Sequence, residues 1–193
     1  MTIDPVLATS AQAGAAAVVL LGAIAKLRAP VAFRDAVAGY RLLPDALVAP
    51  AALAIPLVEA LGAAALLFPA TRTAAAIGLI ALLIAFAAAL AANILRGRTD
   101  IDCGCTGLAG VRAVPGAAAS GDGTPRRIGW LHVARVLLLV ALVATALLAP
   151  DTRAVVWFDY LTLFFSVPLI VCALLTVDVL LANVPRLTAM RNS

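Results

Sequence analysis

Two cysteines stand one residue apart in the segment IDCGCTG, residues 101–107. A disulfide between Cys103 and Cys105 would close a very small ring, so it would remove little unfolded-state entropy and would not brace a fold. Strained and accessible disulfides have more oxidising potentials and serve as catalytic or regulatory ones. Gly104 allows the backbone to turn between the sulfur atoms, and Gly107 leaves the approach open to a partner protein. The spacing therefore favours dithiol–disulfide exchange.

Metal binding and an incidental cysteine pair are the alternatives. Asp102 could add a ligand to the two thiolates, but a structural zinc site needs four ligands, and the only histidine, His132, lies far along the chain. The Cys and His spacings of recognised zinc sites are also missing, so no metal is predicted. A cysteine pair without a function fits the spacing about as well as a metal site does.

Glu59 is an acidic residue deep within an apolar segment, AIPLVEALGAAALLF. Ionisable groups inside a bilayer are costly, which makes Glu59 a candidate functional group. We expect Pro56 and Gly62, about one turn to either side, to loosen the helix and to let another backbone approach. Glu59 is interpreted either as a proton-handling group, protonated or paired with a Lys or Arg, or as a neutral acid that hydrogen-bonds two helices together.

Four other polar residues receive structural interpretations. Asn93 is expected to hydrogen-bond between helices. Cys172, in VPLIVCALL, is expected to be a small buried hydrophobe and not a redox partner. His132 and Arg135 stand one turn apart at the head of an apolar segment, where we expect them to face the lipid headgroups.

Membrane helices must position these residues. The chain has 193 residues, of which 64% are hydrophobic and 12% charged, whereas soluble proteins average about 45–50% apolar and about 25% charged residues. The prediction is a single all-α domain, residues 1–193, that forms a polytopic membrane bundle of about five transmembrane helices. The predicted spans are Thr9–Ala25, Ala46–Phe68, Thr73–Leu95, Ile128–Ala149 and Ala154–Val184. No Lys or Arg precedes Lys26, so we expect the first span to be retained and not cleaved as a signal peptide.

The connections between the spans differ in length and character. Phe33, Val37 and Tyr40 recur at helical spacing between spans one and two, which predicts a short amphipathic helix on the membrane surface. Residues 69–72 join spans two and three, and residues 150–153 join spans four and five. Because both connections are short, the spans that they join are antiparallel. The long connection, residues 96–127, contains the cysteine pair and a glycine-rich middle.

Positive charges are distributed unequally between the two ends of the bundle. By the positive-inside rule, the end that carries more Lys and Arg is cytoplasmic, which places the N-terminus outside and the start of the cysteine loop at the cytoplasm. The other end carries only Arg72 and Arg153. The cytoplasmic end carries Lys26, Arg28, Arg34, Arg41, Arg96, Arg98, Arg112, Arg126, Arg127, Arg135, Arg186 and Arg191.

Four strings together resemble the MauE family of methylamine-utilisation membrane proteins, which is related to the DoxX group. They are FRDAVAGYRLLP, PLVEALGAAALL, NILRGRTDIDCGCTG and IGWLHVAR, in that order between about residues 15 and 140. The asparagine–arginine–cysteine string is the specific one. The motif residues it carries over are Asn93, Arg96, Gly97, Arg98, Asp102, Cys103, Gly104, Cys105 and Gly107. Weaker matches are Lys26, Tyr40, Pro44, Pro56 and Glu59, and Thr106 replaces an expected aromatic residue.

The resemblance implies a redox-associated protein of the bacterial cytoplasmic membrane. Such a protein would support maturation of a disulfide-rich partner, the small subunit of methylamine dehydrogenase in the family, together with a thioredoxin-like protein. Periplasmic disulfide work conflicts with the cytoplasmic placement of the loop. Either the pair passes electrons across the membrane, or the loop folds back into the bundle and is reached from the far side.

The function predicted from these observations is thiol–disulfide exchange through Cys103 and Cys105, with Glu59 as the proton-handling candidate. Whether the protein is an enzyme is left open. No bound cofactor is evident, although a quinone is a candidate electron acceptor. The expected partners are a thioredoxin-like protein, a client protein and the lipid bilayer, without nucleic acid. The alternatives are a non-catalytic membrane assembly factor and, third, a small transporter.

Overall fold

A computed structural model describes residues 2–99, 128–150 and 156–191 of the chain. Within these ranges the chain forms six α-helices, and five of them are long and apolar enough to cross a membrane. The predicted all-α, multi-pass membrane fold is therefore confirmed. The helices are α1 (Pro5–Arg28), α2 (Pro30–Tyr40), α3 (Asp45–Leu66), α4 (Arg72–Leu95), α5 (Trp130–Ala144) and α6 (Trp157–Arg191). A 3₁₀ turn, Thr145–Leu147, follows α5, and Thr2–Ile3 pairs in parallel with Ala149–Pro150.

The first helix is the central one. Its most apolar window is 56% buried, whereas that of α6 is 6% buried. Small side chains allow this central position, because α1 buries a series of alanines and packs against α3, α5 and α6. Gly14 shows how close the packing is, since a Cβ atom there would lie 2.6 Å from Cγ2 of Ile170 on α6. In the same region, Oγ of Ser166 donates a hydrogen bond to Oγ of Ser10 over 2.7 Å.

The ends of α1 follow from local chemistry. Asp4 caps the start, because its Oδ1 accepts a hydrogen bond of 2.8 Å from the backbone N–H of Val6. Pro5 stands at the first helical position, where a missing N–H costs nothing. The helix thus begins before the predicted start at Thr9. It ends at Arg28 because Pro30 disfavours a helical conformation at the residue before it.

The predicted amphipathic helix between the first two spans is present as α2. Its buried face includes Phe33 and Tyr40, and Val37 is half-buried between them. The opposite face is exposed, including Arg34 and Asp35. Helix α2 thus packs one face onto the bundle and turns a charged face outward.

Helices α3 and α4 form a tight antiparallel hairpin. Oγ1 of Thr71 in the connection donates a hydrogen bond of 2.7 Å to the carbonyl oxygen of Ala65. Gly62 permits the close approach of the helices, since a Cβ atom there would lie 2.8 Å from Cδ2 of Leu79. The close neighbour at Gly62 is thus a side chain of α4, whereas the sequence predicted the approach of another backbone.

The last helix corrects one prediction. Cys172 is exposed, not buried. Helix α6 packs against α1 and keeps most of its apolar surface outward, so the inward positions are taken by residues such as Leu174 and, partly, Ile170. An apolar residue of a peripheral membrane helix need not face protein, because lipid is an equally apolar neighbour.

Candidate functional site

A buried ion pair between α1 and α3 is the central polar feature of the bundle. Nζ of Lys26 lies 2.6 Å from both carboxylate oxygens of Glu59. The two side chains are only 9% and 10% exposed. Removing two charges from water is costly, and the cost is met here by a short, bidentate contact between them. Glu59 is therefore paired with a basic residue of a neighbouring helix, one of the arrangements expected from the sequence.

The antiparallel arrangement of α1 and α3 explains the meeting of these two residues. Lys26 belongs to the last turn of α1, where a cation also interacts favourably with the helix dipole. Glu59 lies in the second half of α3, one turn after the buried Pro56. Helix α2 joins the end of α1 to the start of α3, and α1 packs against α3. The long side chain of Lys26 extends along α3 to the carboxylate of Glu59.

Two aromatic rings flank the ammonium group. Nζ of Lys26 lies 5.4 Å from the ring centre of Phe33 on α2 and 5.8 Å from that of Phe86 on α4. Both distances fall within the range of cation–π attraction. The ring of Phe86 in turn lies 6.2 Å from that of Tyr40. Lys26 thus connects four helices, since α1, α2, α3 and α4 each supply a group to its surroundings.

A small cavity of about 40 Å³ lies beside the ion pair. Its polar wall includes Lys26, Glu59 and Arg135, and its apolar wall includes Phe86 and Leu139. A water molecule needs about 10–15 Å³ of such space together with polar partners, so this cavity has room for water. The quinone stays a prediction.

Arg135 differs from the expectation that it faces the headgroups. It lies on α5 and lines the same interior cavity as Glu59. His132, one turn earlier, has a local role, because its Nδ1 accepts a hydrogen bond of 3.3 Å from the backbone N–H of Gly129 at the start of α5. The apolar pattern of α5 does not reveal which side of the helix faces inward, so sequence reasoning missed Arg135.

Asn93 also differs from its expected role. Its side chain is completely buried, and Nδ2 donates a hydrogen bond of 3.0 Å to the carbonyl oxygen of Ala89, one turn back on the same helix. Among the residues that the structure describes, none provides a hydrogen-bond partner for Oδ1 of Asn93. The observed side-chain hydrogen bond thus lies within α4 and does not join two helices.

The string NILRGR forms the end of α4. Gly97 has a φ angle of +71°, a conformation that favours glycine. The backbone N–H of Arg98 donates to the carbonyl of Asn93 over 2.9 Å, and that of Gly97 donates to the carbonyl of Ile94 over 3.0 Å. These two bonds form a Schellman motif, which satisfies the last carbonyl groups of a helix. Asn93, Gly97 and Arg98 therefore act together as the C-terminal cap of α4.

The chain that leaves this cap is held at both ends. Nη2 of Arg98 donates a hydrogen bond of 3.2 Å to the carbonyl oxygen of Gly39 on α2. The backbone N–H of Ile128 donates one of 2.9 Å to the carbonyl oxygen of Thr99. Residues 99 and 128, which flank the connection, are thus adjacent. Asp102, Cys103, Gly104, Cys105 and Gly107 lie outside the described residues.

The fold and this site define a multi-pass helical membrane protein with a buried, water-sized polar cavity. The family model described as "Methylamine utilisation protein MauE" matches residues 4–149, which include α1 to α5 and the cysteine-containing connection. The chain belongs to the MauE family.

Curated relatives carry the same description, "Methylamine utilization protein MauE". The relative from Methylophilus methylotrophus is 42% identical over 142 residues, which cover 74% of this chain and 68% of the relative. That from Paracoccus denitrificans is 41% identical over 120 residues, 62% of this chain and 57% of the relative. That from Paracoccus versutus is 37% identical over 147 residues, 75% of this chain and 72% of the relative. No solved structure matches the chain.

Proposed function

We propose that this protein is a redox-associated membrane component of methylamine utilisation that supports thiol–disulfide exchange through Cys103 and Cys105. Its relatives' description supports the methylamine context. The observation that carries the redox part is the spacing of Cys103 and Cys105, which suits a labile disulfide and not a structural one. The described ends of the connection that contains this pair, Thr99 and Ile128, are hydrogen-bonded to each other next to the Schellman cap.

The exchange step balances as follows. A thiolate of the partner attacks one sulfur of the Cys103–Cys105 disulfide and forms a mixed disulfide, and the displaced sulfur leaves as a thiolate. The partner's second thiolate then attacks the partner sulfur that takes part in the mixed disulfide. This step forms the partner's disulfide and releases the second cysteine of the pair as a thiolate. The partner loses two electrons and becomes a disulfide, and the Cys103 and Cys105 pair gains them. A thioredoxin-like protein is the proposed partner, and it regains its two electrons from the dithiol of a client protein, which thereby becomes a disulfide. A quinone is the proposed acceptor that takes the two electrons from the reduced Cys103 and Cys105 pair and restores its disulfide.

Protons must move with these electrons, because the thiolates that are released take up protons near neutral pH. Glu59 is the proposed proton-handling group. The cavity beside it has room for water and is lined by Arg135 as well, and Lys26 holds the carboxylate in place through a bidentate contact. Lys26 is thus a positioning residue for Glu59 in this proposal.

The proposal also includes the membrane and the orientation. The bacterial cytoplasmic membrane is the proposed location, with the basic end of the bundle at the cytoplasm. The structure brings basic residues of α1, α2 and α4 to one end, as the contact between Arg98 and Gly39 illustrates. This grouping supports the orientation derived from the charge count.

Mixed-disulfide trapping tests the exchange. In full-length protein expressed in a methylamine-utilising bacterium, the variants Cys103→Ser and Cys105→Ser should each abolish maturation of client disulfides, and one of them should accumulate a covalent complex with a thioredoxin-like protein. Cys172→Ser is the matched control, because Cys172 is an exposed cysteine on α6. It should leave both maturation and trapping unchanged.

Normal client maturation in Cys103→Ser and Cys105→Ser would overturn the redox proposal. Lost maturation without any trapped complex, together with retained binding of the partner by the serine variants, would instead favour a non-catalytic assembly factor. Growth on methylamine of a Paracoccus denitrificans strain whose own relative is replaced by this chain tests the metabolic context separately.

A further inference from the structure

A second cavity opens at the basic end of the bundle. It is a groove of about 200 Å³ between the end of α1, the start of α2 and the first half of α3. Leu27, Val31, Ala49 and Leu53 form apolar parts of its wall, and Lys26 and Arg34 add two cationic side chains. The groove therefore combines an apolar floor with positive charge, which suits an amphiphile with an anionic head.

The ammonium group of Lys26 retains a donor for such a head. An ammonium group has three N–H donors, and Nζ of Lys26 donates to the two carboxylate oxygens of Glu59. Lys26 lines both this groove and the inner cavity that contains Glu59. Its side chain is 9% exposed and its ammonium group contacts Glu59, Phe33 and Phe86, so Lys26 adds positive charge to the wall between the groove and the inner cavity.

Arg34 is free to turn toward a ligand in the groove. Its side chain is 54% exposed, and its contact with Oδ1 of Asp35 is a long one of 3.4 Å. Exposed ion pairs of this kind contribute little stability, so exchanging the contact with Asp35 for a phosphate costs little. A guanidinium group also binds phosphate through two parallel N–H donors.

The position of the groove matches the depth of lipid phosphates. Helix α2 buries Phe33 and Tyr40 against the bundle and exposes its charged face, as a helix at a membrane surface does. Arg28 at the end of α1 and Arg41 directly after α2 add further positive charge next to this helix. An anionic lipid is attracted by this charge, whereas the choline group of a zwitterionic lipid offsets it.

We propose that this groove binds an anionic phospholipid, with its phosphate between Lys26 and Arg34 and an acyl chain along the apolar wall. The bound phosphate and Glu59 then contact the same ammonium group from two sides. This makes the lipid headgroup a neighbour of the buried ion pair, and the inference holds whether or not the redox function does.

Native mass spectrometry of the purified full-length protein in detergent tests the site. Phosphatidylglycerol should bind more tightly than phosphatidylcholine with the same acyl chains, by about fivefold for each cation engaged. Arg34→Gln should lower this preference about fivefold. Ala49→Phe, at an exposed position, should lower binding by filling the groove while keeping both cations. Arg72→Gln, at the start of α4, is the control and should keep the preference for phosphatidylglycerol, because Arg72 does not line the groove.

The proposal is overturned if the wild type binds both lipids equally, if the preference is unchanged in Arg34→Gln, or if Ala49→Phe binds phosphatidylglycerol as tightly as the wild type does. Inorganic phosphate that displaces phosphatidylglycerol at equal concentration would also overturn it, because the acyl chain would then contribute nothing. Thermal unfolding of each variant shows that the fold is intact, which is expected for Arg34→Gln and Ala49→Phe because both residues are exposed.

Discussion

At the scale of single residues, the stability of this bundle depends on how its buried charges are paired. Glu59 and Lys26 are each about nine-tenths buried, and each is the other's direct ionic partner. The aromatic rings of Phe33 and Phe86 surround the ammonium group on other sides. A buried charge that loses its partner is much more costly than an absent pair, because the remaining charge keeps its desolvation penalty. The pair must therefore behave as a unit.

The ion pair makes a quantitative prediction. Lys26→Met or Glu59→Leu alone should each destabilise the protein by about 3–5 kcal/mol, because each leaves one buried charge alone. The double variant should regain most of this loss, since both charges are gone. Chemical unfolding of the purified protein in detergent micelles measures these free energies.

The exposed pair of Arg34 and Asp35 is the matched control for the buried pair. Its side chains are 54% and 65% exposed, so the same cycle of Arg34→Gln and Asp35→Asn should give a coupling energy below about 1 kcal/mol. Additive losses from Lys26→Met and Glu59→Leu would contradict the description of the buried pair as a unit.

At the scale of elements, the end of α4 decides how the cysteine-containing connection leaves the membrane helix. The Schellman motif closes α4 at Gly97, and Arg98 then contacts α2. The string NILRGR, which is part of the family motif, thus also has a structural role, because its residues end α4. Asn93 contributes its carbonyl oxygen to this cap and its side chain to the preceding turn.

Gly97→Ala tests the cap. The φ angle of +71° disfavours a Cβ atom, and no atom of the described residues lies within 4 Å of the position that this Cβ would take, so we attribute the penalty to backbone conformation. We expect a loss of about 1–2 kcal/mol in the free energy of unfolding. Gly78→Ala on the same helix is the control, because its Cβ also meets nothing within 4 Å. In a helix interior this change should stabilise by about 0.5–1 kcal/mol. Equal effects of the two substitutions would show that the left-handed conformation is unimportant.

At the scale of the whole molecule, α1 is the axis around which the other helices pack. It contacts α3, α5 and α6, and its last turn supplies Lys26 to the polar site. Parallel pairing of Thr2–Ile3 with Ala149–Pro150 joins the start of α1 to the segment after α5. The helix ends lie at two faces of the bundle. One face contains α2 and the ends of α1 and α4, and the other contains the α3–α4 hairpin.

Thiol labelling tests which face is cytoplasmic. In intact cells that express the full chain with Cys172→Ser, a membrane-impermeant maleimide should leave Cys103 and Cys105 unlabelled until the cells are permeabilised, because the positive-inside rule places their loop at the cytoplasm. Thr71→Cys, in the hairpin at the other face, should be labelled in intact cells when added to a chain without the native cysteines. A reducing agent that does not cross membranes is included in a parallel sample, so that an oxidised pair is not mistaken for a protected one. Labelling of Cys103 and Cys105 in intact cells would reverse the orientation.

The membrane class, the five apolar helices and the amphipathic α2 were predictable from the amino-acid sequence, because length and apolar periodicity act along the chain. The family string likewise led to MauE before any geometry. Tertiary structure decided that Lys26 is the partner of Glu59, that Arg135 lines the interior and that Cys172 faces outward. Hydropathy cannot decide these, because in a bilayer both lipid and protein are apolar neighbours of a helix. Only the packing of α1 against α3 and α5 determines which polar side chains meet.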